Sequence, residues 1–181
     1  MENFNGLMFK NFNENDIECF SKIMKRAFDK DSQIHLNIEE GGPDGYNDGT
    51  FLKKWYLHKN ATAYVVYKSN IPIGAINVWI NKNNENFLGN TFVDPNFQNQ
   101  GNGLIIWKFI ERKFSETKIW KAETPGFSYR NHNFYVNKCG FKVYKIENPK
   151  DKMNSSYLLE KIMNPNSSCK CNENLIRCFE A

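Results

Sequence analysis

The sequence predicts a three-layer α+β domain in which a mixed central sheet of about seven strands is flanked by helices. Strand-like runs rich in β-branched and aromatic residues follow one another between residues 63 and 93. A glycine-containing turn then leads into an apolar helical segment and a further strand, which is the order of a β–α–β crossover. The length of 181 residues suits one ordinary domain with its own core.

The first half of the chain predicts one strand, a long helix and three more strands. Residues 7–12 are predicted to form the first strand. Asn13 or Asn15 can cap the following helix, whose apolar residues fall on one face. Residues 41–49 are rich in turn-forming residues and predict a mobile loop, followed by a short helix over 50–58. The apolar helix face is Ile17, Phe20, Ile23, Met24, Ala27 and Phe28, and the three strands are 63–67, 73–80 and 87–93, with a hairpin turn at Ser69 and Asn70.

The second half predicts a helix from about Gly103 to Phe114 and a strand over 119–123 beside the strand that precedes the turn. A second helix over 129–138 is expected to end at Gly140 in a left-handed cap. Strands beginning at residue 141 and over 156–162 complete the domain, which we expect to span residues 1–163. Asn164-Pro165-Asn166 indicates a break, so residues 164–181 are expected to form a C-terminal tail.

Composition limits the classes of function. The 24 basic and 20 acidic residues are scattered, with a net charge of +4, so no basic tract of the kind that binds nucleic acid is present. Such a charge suits a small anionic ligand. No apolar stretch approaches the roughly 20 residues that span a bilayer, and the start of the chain lacks the pattern of a secretory signal. We therefore expect a cytoplasmic protein that binds neither nucleic acid nor membrane.

The five cysteines are odd in number and form no paired framework, which agrees with a reducing compartment. Cys169 and Cys171 are close enough in sequence to touch a metal ion, but no histidine or second close pair accompanies them. A loose tail with free thiols is the favoured alternative. No metal site is assigned.

A glycine-containing turn joins the fourth predicted strand to the helix near Gly103. Gly101 and Gly103 lie where the first N–H groups of that helix lack partners, so an anion can approach the bare backbone. The Rossmann fingerprint needs a third glycine, and a Walker loop needs Gly-Lys-Ser/Thr, and neither is present. A glycine turn with a purely backbone role remains the structural alternative.

With Gln98, the spacing Gln-x-x-Gly-x-Gly resembles the coenzyme A pyrophosphate loop of the GNAT superfamily of N-acyltransferases. Two further segments, Trp120-Lys121-Ala122-Glu123-Thr124-Pro125 and Arg130 to Phe141, are similar to the fifth strand and the following helix of these enzymes. The resemblance extends over roughly residues 7–162 and is strongest from Leu88 to Phe141. It implies the GNAT acyl-CoA N-acyltransferase fold.

The resemblance also implies where acetyl-CoA, the cosubstrate, binds. In the family the sheet opens where the fourth and fifth strands part, and the pantetheine arm lies between them. Carried over, Thr91, Phe92 and Val93 line that arm. Gln98 closes the turn, and Asn131 contacts the cofactor from the next helix. The pyrophosphate is then held by the N–H groups of Gln100, Gly101, Asn102, Gly103 and Leu104.

Acetyl transfer to an amine requires the amine to be neutral, yet a lysine-like amine with a pKa near 10.4 is neutral in only about one molecule in a few thousand at neutral pH. The first candidate for the base that removes its proton, directly or through water, is Glu123 at the end of the fifth strand. The alternative is an ordinary strand-end carboxylate. Glu85 is a weaker candidate.

The departing thiolate needs a proton donor, and the family often supplies a tyrosine that here matches Tyr135. Asn131 and Tyr135 are four residues apart and share a helix face. Many family members place this tyrosine four residues before the glycine, whereas Tyr135 stands five before Gly140, which a bulged helix end would absorb. A tyrosine packed on the sheet edge is the structural alternative.

The resemblance therefore implies an N-acetyltransferase that moves an acetyl group from acetyl-CoA directly to a primary amine. The alternative is a catalytically silent acyl-CoA-binding or sensing module with the same fold. The acceptor can be a small molecule or a peptide, and a homodimer is possible. A cluster of acids before residue 45 can attract a cationic amine or form a solvated face: Asp29, Asp31, Glu39, Glu40 and Asp44.

Overall fold

The computed structural model describes residues 1–163. The predicted tail, residues 164–181, with its Cys169 and Cys171 pair, lies outside the described residues. The strands are β1 (Glu2–Phe4), β2 (Leu7–Asn11), β3 (Ala61–Lys68), β4 (Ile71–Trp79), β5 (Glu85–Val93), β6 (Ile119–Pro125), β7 (Lys142–Glu147) and β8 (Ser156–Ile162). The helices are α1 (Ile17–Leu36), α2 (Thr50–Trp55), α3 (Asn102–Lys113) and α4 (Tyr129–His132), and α4 continues as a π-helical segment over Asn133–Lys138.

The predicted α+β fold is confirmed, with eight strands in one mixed sheet in the order β1-β2-β3-β4-β5-β6-β8-β7. All neighbouring strands are antiparallel except β5 and β6, which are parallel and joined through α3. The strand that the sequence did not predict is β1. Its hairpin turn is Asn5-Gly6, with φ of 47° and 80°, which is the pair of left-handed residues that a two-residue hairpin prefers.

The sheet buries an apolar core on each face. On one face, α3 packs Ile106, Phe109 and Ile110 against the sheet, because residues three and four apart share a helix face. On the other face, α1 packs Phe20 and Met24 over β3 and β5. The two helices therefore lie on opposite sides of the sheet, and the parting of β5 from β6 opens a passage between those sides.

Candidate active site

A cleft opens where β5 and β6 separate. The two strands pair only from Glu85 opposite Ile119 to Leu88 opposite Ala122. Beyond that point β5 continues to pair with β4 as far as Val93, while β6 continues to pair with β8. The resulting cleft has a volume of about 840 Å³.

A β-bulge in β5 accompanies the separation. Asn77 of β4 is opposite Asn90, but the next residue, Val78, is opposite Leu88, so Gly89 is left without a partner. A Cβ atom at Gly89 would lie only 2.9 Å from Asn77 Oδ1 and 2.9 Å from Trp79 Nε1. Glycine is therefore required at the bulge, which bends β5 where it turns away from β6.

The turn between β5 and α3 is shaped by side chains that bond to carbonyl groups behind it. Gln98 Nε2 donates to the Val93 carbonyl at 2.7 Å, and the buried Asn102 side chain donates to the Phe97 carbonyl at 2.7 Å. Gly101 has a φ of 80°, in the left-handed region, and precedes the first residue of α3. An added Cβ atom there would meet no atom of the described residues 1–163 within 4 Å, so the backbone of Gly101 faces open space in this part of the structure.

The backbone N–H groups at this turn are free to bind a ligand. Ile105 N–H donates to the Gly101 carbonyl at 3.1 Å and makes the first main-chain bond of α3. Within residues 1–163, no protein acceptor is bonded to the N–H groups of the five residues before it. Several such donors at the positive end of a helix form an anion-binding site. The five residues whose N–H groups are open in this way are Gln100, Gly101, Asn102, Gly103 and Leu104.

Tyr135 lies on the π-helical segment and lines the cleft. The Cys139 N–H donates to the Phe134 carbonyl and the Phe141 N–H to the Tyr135 carbonyl, each at 3.0 Å, so the segment accommodates one more residue before Gly140 than a regular helix end. The Tyr135 ring packs edge-on against Phe141, with ring centres 5.7 Å apart. Burial, and to a smaller extent the nearby Cys139 thiol, raises the pKa of Tyr135 well above its ordinary value.

Glu123 and Tyr135 reach the cleft from opposite faces of the sheet. Trp120 and Ala122 belong to the core under α3, which also contains Tyr135. Because successive strand residues point to opposite faces, Glu123 points to the side of α1. Its side chain is exposed and lines the cleft. The cleft thus has an α3 side, with Tyr135 and the glycine turn, and an α1 side, with Glu123.

Glu85 lies at the far end of β5, outside the lining of the cleft. Its carboxylate is 3.1 Å from Lys121 Nζ, and both side chains are partly exposed. This position separates the weaker candidate base from the other predicted site residues.

Most of the predicted cofactor residues line the cleft. Gln100 and Asn102 are the exceptions: the Gln100 side chain accepts from Lys68 Nζ at 3.2 Å, and that of Asn102 is buried behind the turn. Their proposed contribution is in any case from the backbone. The predicted residues whose atoms line the cleft are Thr91, Phe92, Val93, Gln98, Gly101, Gly103, Leu104 and Asn131.

Arg130 connects three parts of the site, a role that sequence reasoning did not assign. Its Nη1 donates to Gln98 Oε1 at 2.7 Å, and its Nη2 lies 3.0 Å from Asp31 Oδ1. The start of α4 is thereby fastened both to the glycine turn and to α1. These partners are far apart in the chain, and no local sequence pattern predicts such a contact.

Residues 1–163 lack a cluster of metal ligands and a membrane-spanning helix. No group of three or more His, Cys, Asp or Glu residues in this range is placed to hold a metal ion. No helix in the same range is both long and apolar enough to cross a membrane.

Comparison with known proteins agrees with this geometry. Residues 22–141 match the Acetyltransferase (GNAT) family. The chain is 34% identical over 137 residues to the uncharacterized protein YrkN of Bacillus subtilis (strain 168), across 75% of this chain and 72% of that protein. Its fold is similar to the ribosomal-protein-S18-alanine N-acetyltransferase from Escherichia coli, with a TM-score of 0.67, 14% identity, and 93% and 98% of the two chains covered. The PaiA N-acetyltransferase from Thermoplasma acidophilum, solved in complex with coenzyme A, is similar with a TM-score of 0.64, 15% identity, and coverage of 86% and 98%.

Proposed function

Because this chain belongs to the GNAT acetyltransferase family, we propose that it is an acetyl-CoA-dependent N-acetyltransferase that transfers the acetyl group directly to a primary amine. The observation that carries the proposal is the row of unpartnered N–H groups from Gln100 to Leu104, which opens onto a cleft with a buried tyrosine and an exposed carboxylate.

The fit of coenzyme A rests on the shape and chemistry of the turn. Gln98 and Asn102 direct their amide groups toward carbonyls behind the turn, so they leave its N–H groups open. The open space beside Gly101 gives a pyrophosphate room to approach the backbone closely. We assign Thr91, Phe92 and Val93 to the pantetheine arm, because no strand within residues 1–163 pairs with them on the β6 side of β5. Asn131 lines the same cleft from α4.

Glu123 is assigned to remove the proton of the acceptor. An ammonium group that enters from the α1 side meets this carboxylate, which accepts a proton directly or through water. The neutral amine nitrogen then attacks the thioester carbonyl carbon, and the carbon–sulfur bond breaks. Because Glu123 lies on the opposite side of the cleft from the glycine turn, it does not stand between the bound acetyl-CoA and the amine nitrogen that attacks it.

Tyr135 is assigned to donate a proton to the departing thiolate. A donor must carry its proton at neutral pH, and the raised pKa of Tyr135 ensures this. The contact with Phe141 and the bonds of the π-helical segment hold the ring in place. Transfer of the phenolic proton to sulfur gives the free thiol. The nitrogen of the new amide loses its second surplus proton, which returns to Tyr135 directly or through solvent, and Glu123 releases the first proton to water, so that the products are the amide, the thiol and one proton.

The name of the E. coli enzyme refers to an alanine of a ribosomal protein. At 14% identity the likeness shows the fold alone, so that acceptor is not carried over.

A thiol-release assay tests the proposal. The protein is mixed with acetyl-CoA and a panel of primary amines, and calorimetry with coenzyme A is run in parallel. We expect saturable binding of coenzyme A and amine-dependent thiol release. Binding without turnover on any amine would favour the silent acyl-CoA-binding or sensing module, and absence of binding would contradict both.

Other expectations stay predictions. We propose that residues 1–163 form the acetyltransferase domain and residues 164–181 a tail, and that the protein acts in the cytoplasm without nucleic acid or membrane partners. We also keep the formation of a homodimer as a prediction.

A further inference from the structure

We propose that the acceptor is a small primary amine with a single positive charge and an apolar or aromatic body. This inference rests on the proposed acetyltransferase function and adds the chemical class of the acceptor. Three features of the α1 side of the cleft carry it: the position of Glu123, the apolar lining opposite, and the small number of available carboxylates.

Register places Phe87 and Glu123 on the same face of the sheet. Phe87 is the β5 partner of Lys121, and partners in adjacent strands point to the same face. Glu123 is two residues after Lys121 and shares that face. Both Phe87 and Glu123 line the cleft. A molecule whose ammonium group contacts Glu123 therefore has an aromatic ring on the same side of the cleft.

The rest of the α1 side is also apolar. Trp79 is the β4 partner of Phe87, and its ring centre is 6.3 Å from that of Trp55, which is in turn 6.4 Å from Phe51. Phe51 and Phe87 line the cleft, so this aromatic row borders it. An apolar ligand body gains free energy by removing such surfaces from water. The apolar side chains that line the cleft from α1, α2 and the loop between them are Ala27, Phe28, Leu36, Ile38, Pro43 and Phe51, and Met153 lines it from the loop between β7 and β8.

Few carboxylates line the cleft within residues 1–163. The carboxylates that line the cleft within residues 1–163 are Asp31 and Glu123. Asp31 is paired with Arg130, whereas Glu123 has no ion-pair partner in the described part of the chain. Arg130 and Lys138 also line the cleft and repel additional cations. The site therefore offers one free carboxylate to one ammonium group.

Of the acids predicted to attract a cationic amine, Asp29 and Glu40 are engaged outside the cleft. Asp29 and Glu40 lie 2.7 Å and 2.6 Å from Lys25 Nζ, and Asp29 also accepts from the Tyr46 hydroxyl. Neither they nor Glu39 or Asp44 line the cleft. Within residues 1–163, a second ammonium group would thus meet no carboxylate that is free of an ion pair, and the attraction of the aromatic rings would offset only part of the hydration that it loses.

Matched amines test the inference with the wild-type protein. Hexylamine and hexamethylenediamine have the same chain length and differ by one terminal ammonium group. With saturating acetyl-CoA, we expect kcat/KM for hexylamine and phenethylamine to exceed that for the diamine by at least about tenfold, because the second charge is not matched. An aminoglycoside should be a poorer acceptor still.

A variant reverses the preference. Phe87→Asp adds a carboxylate to the apolar wall and should shift the ratio of kcat/KM values at least about tenfold toward hexamethylenediamine. Val143→Asp is the matched control, because Val143 is exposed on β7, away from the cleft, and should leave the ratio unchanged. Calorimetry with coenzyme A verifies that each variant is folded.

The outcomes separate the two proposals. Thiol release that is equal or faster with the diamine or the aminoglycoside would overturn the acceptor class and leave the acetyltransferase function standing. Binding of coenzyme A with no release on any amine would overturn the function and, with it, the acceptor class. If Phe87→Asp fails to fold, the wild-type comparison still decides.

Discussion

The guanidinium of Arg130 lies 3.0 Å from the carboxylate of Asp31 and joins the start of α4 to α1 beside the cleft. Asp31 is only 9% exposed, so its charge has little access to water. The Arg130 side chain is 30% exposed and also donates to Gln98, so one side chain holds both the glycine turn and α1 in place. Loss of Arg130 leaves a buried carboxylate without its cation, which is costlier than the loss of a surface pair.

We expect Arg130→Ala to lower the free energy of unfolding by about 1–3 kcal/mol, the cost of a buried polar group that loses its partner. Asp31→Asn removes the charge, so Asp31→Asn/Arg130→Ala should be destabilised by less than the sum of the single variants. Urea unfolding measures all three. Lys22→Ala breaks an exposed pair with Glu18 and should cost less than about 1 kcal/mol. Additive effects of the two single substitutions would argue against coupling across the cleft.

Two glycines with the same backbone conformation test the anion site. Gly101 and Gly6 both have a φ of 80°, and at either position an added Cβ atom would meet none of the described residues within 4 Å. Alanine at either should therefore cost about 1 kcal/mol in stability from backbone strain alone. Only Gly101→Ala places a methyl group in the space assigned to the pyrophosphate. We expect calorimetry to show at least about tenfold weaker coenzyme A binding, about 1.4 kcal/mol, for Gly101→Ala and no change for Gly6→Ala. Equal affinities in the two variants would count against the assignment.

Tyr135→Phe removes the proposed proton donor and leaves the ring. We expect kcat to fall by roughly 10² to 10⁴, with little change in coenzyme A affinity, because only the leaving thiolate loses its donor. Tyr64→Phe is the control, since Tyr64 is also buried but packs against Phe109, away from the cleft. A full rate with Tyr135→Phe would favour a purely structural tyrosine.

The raised pKa of Tyr135 also predicts a pH effect on stability. The phenol keeps its proton in the folded state above pH 10.0, its ordinary pKa, whereas in the unfolded state it is deprotonated there. Above pH 10.0 the folded state therefore binds more protons than the unfolded state. The contribution of Tyr135 to the free energy of unfolding is complete below pH 10.0 and declines as the pH rises further. Between pH 10 and 11 the wild type should lose more unfolding free energy than Tyr135→Phe. Parallel losses would indicate that burial leaves the pKa of this tyrosine unchanged.

Local sequence patterns were sufficient to predict most strands and helices of this fold, but they were not sufficient to predict its long-range contacts. The turn at Gly101 could be predicted because its glycines, the preceding strand and the following helix are adjacent in sequence. The resemblance placed Glu123 at the end of β6, and alternation along the strand explains why it points away from the core residues Trp120 and Ala122. The bulge at Gly89 and the hairpin at Gly6 carried local signals, a glycine within a strand and an Asn-Gly pair, that the prediction did not use. The contact of Arg130 with Asp31 depends on how α1 and α4 pack, which no periodicity encodes.

Glu123→Gln tests the proposed base, with Glu85→Gln as the matched control. Both substitutions remove a carboxylate that is accessible to solvent on neighbouring strands, but Glu85 pairs with Lys121 outside the cleft. For an ordinary alkylamine we expect kcat/KM to fall by roughly 10² to 10⁴ in Glu123→Gln and to stay unchanged in Glu85→Gln.

The choice of amine separates proton removal from binding. Trifluoroethylamine is largely neutral at neutral pH, because its electron-withdrawing fluorines lower the pKa of its ammonium group. It therefore needs no base to remove a proton before it attacks the thioester. If Glu123 acts as the base, Glu123→Gln should acetylate this amine at nearly the wild-type rate while the reaction of ethylamine is lost. If Glu123 only attracts the charged amine, ethylamine should show a raised KM with an unchanged kcat. Equal losses of kcat with both amines would mean that another group accepts the proton.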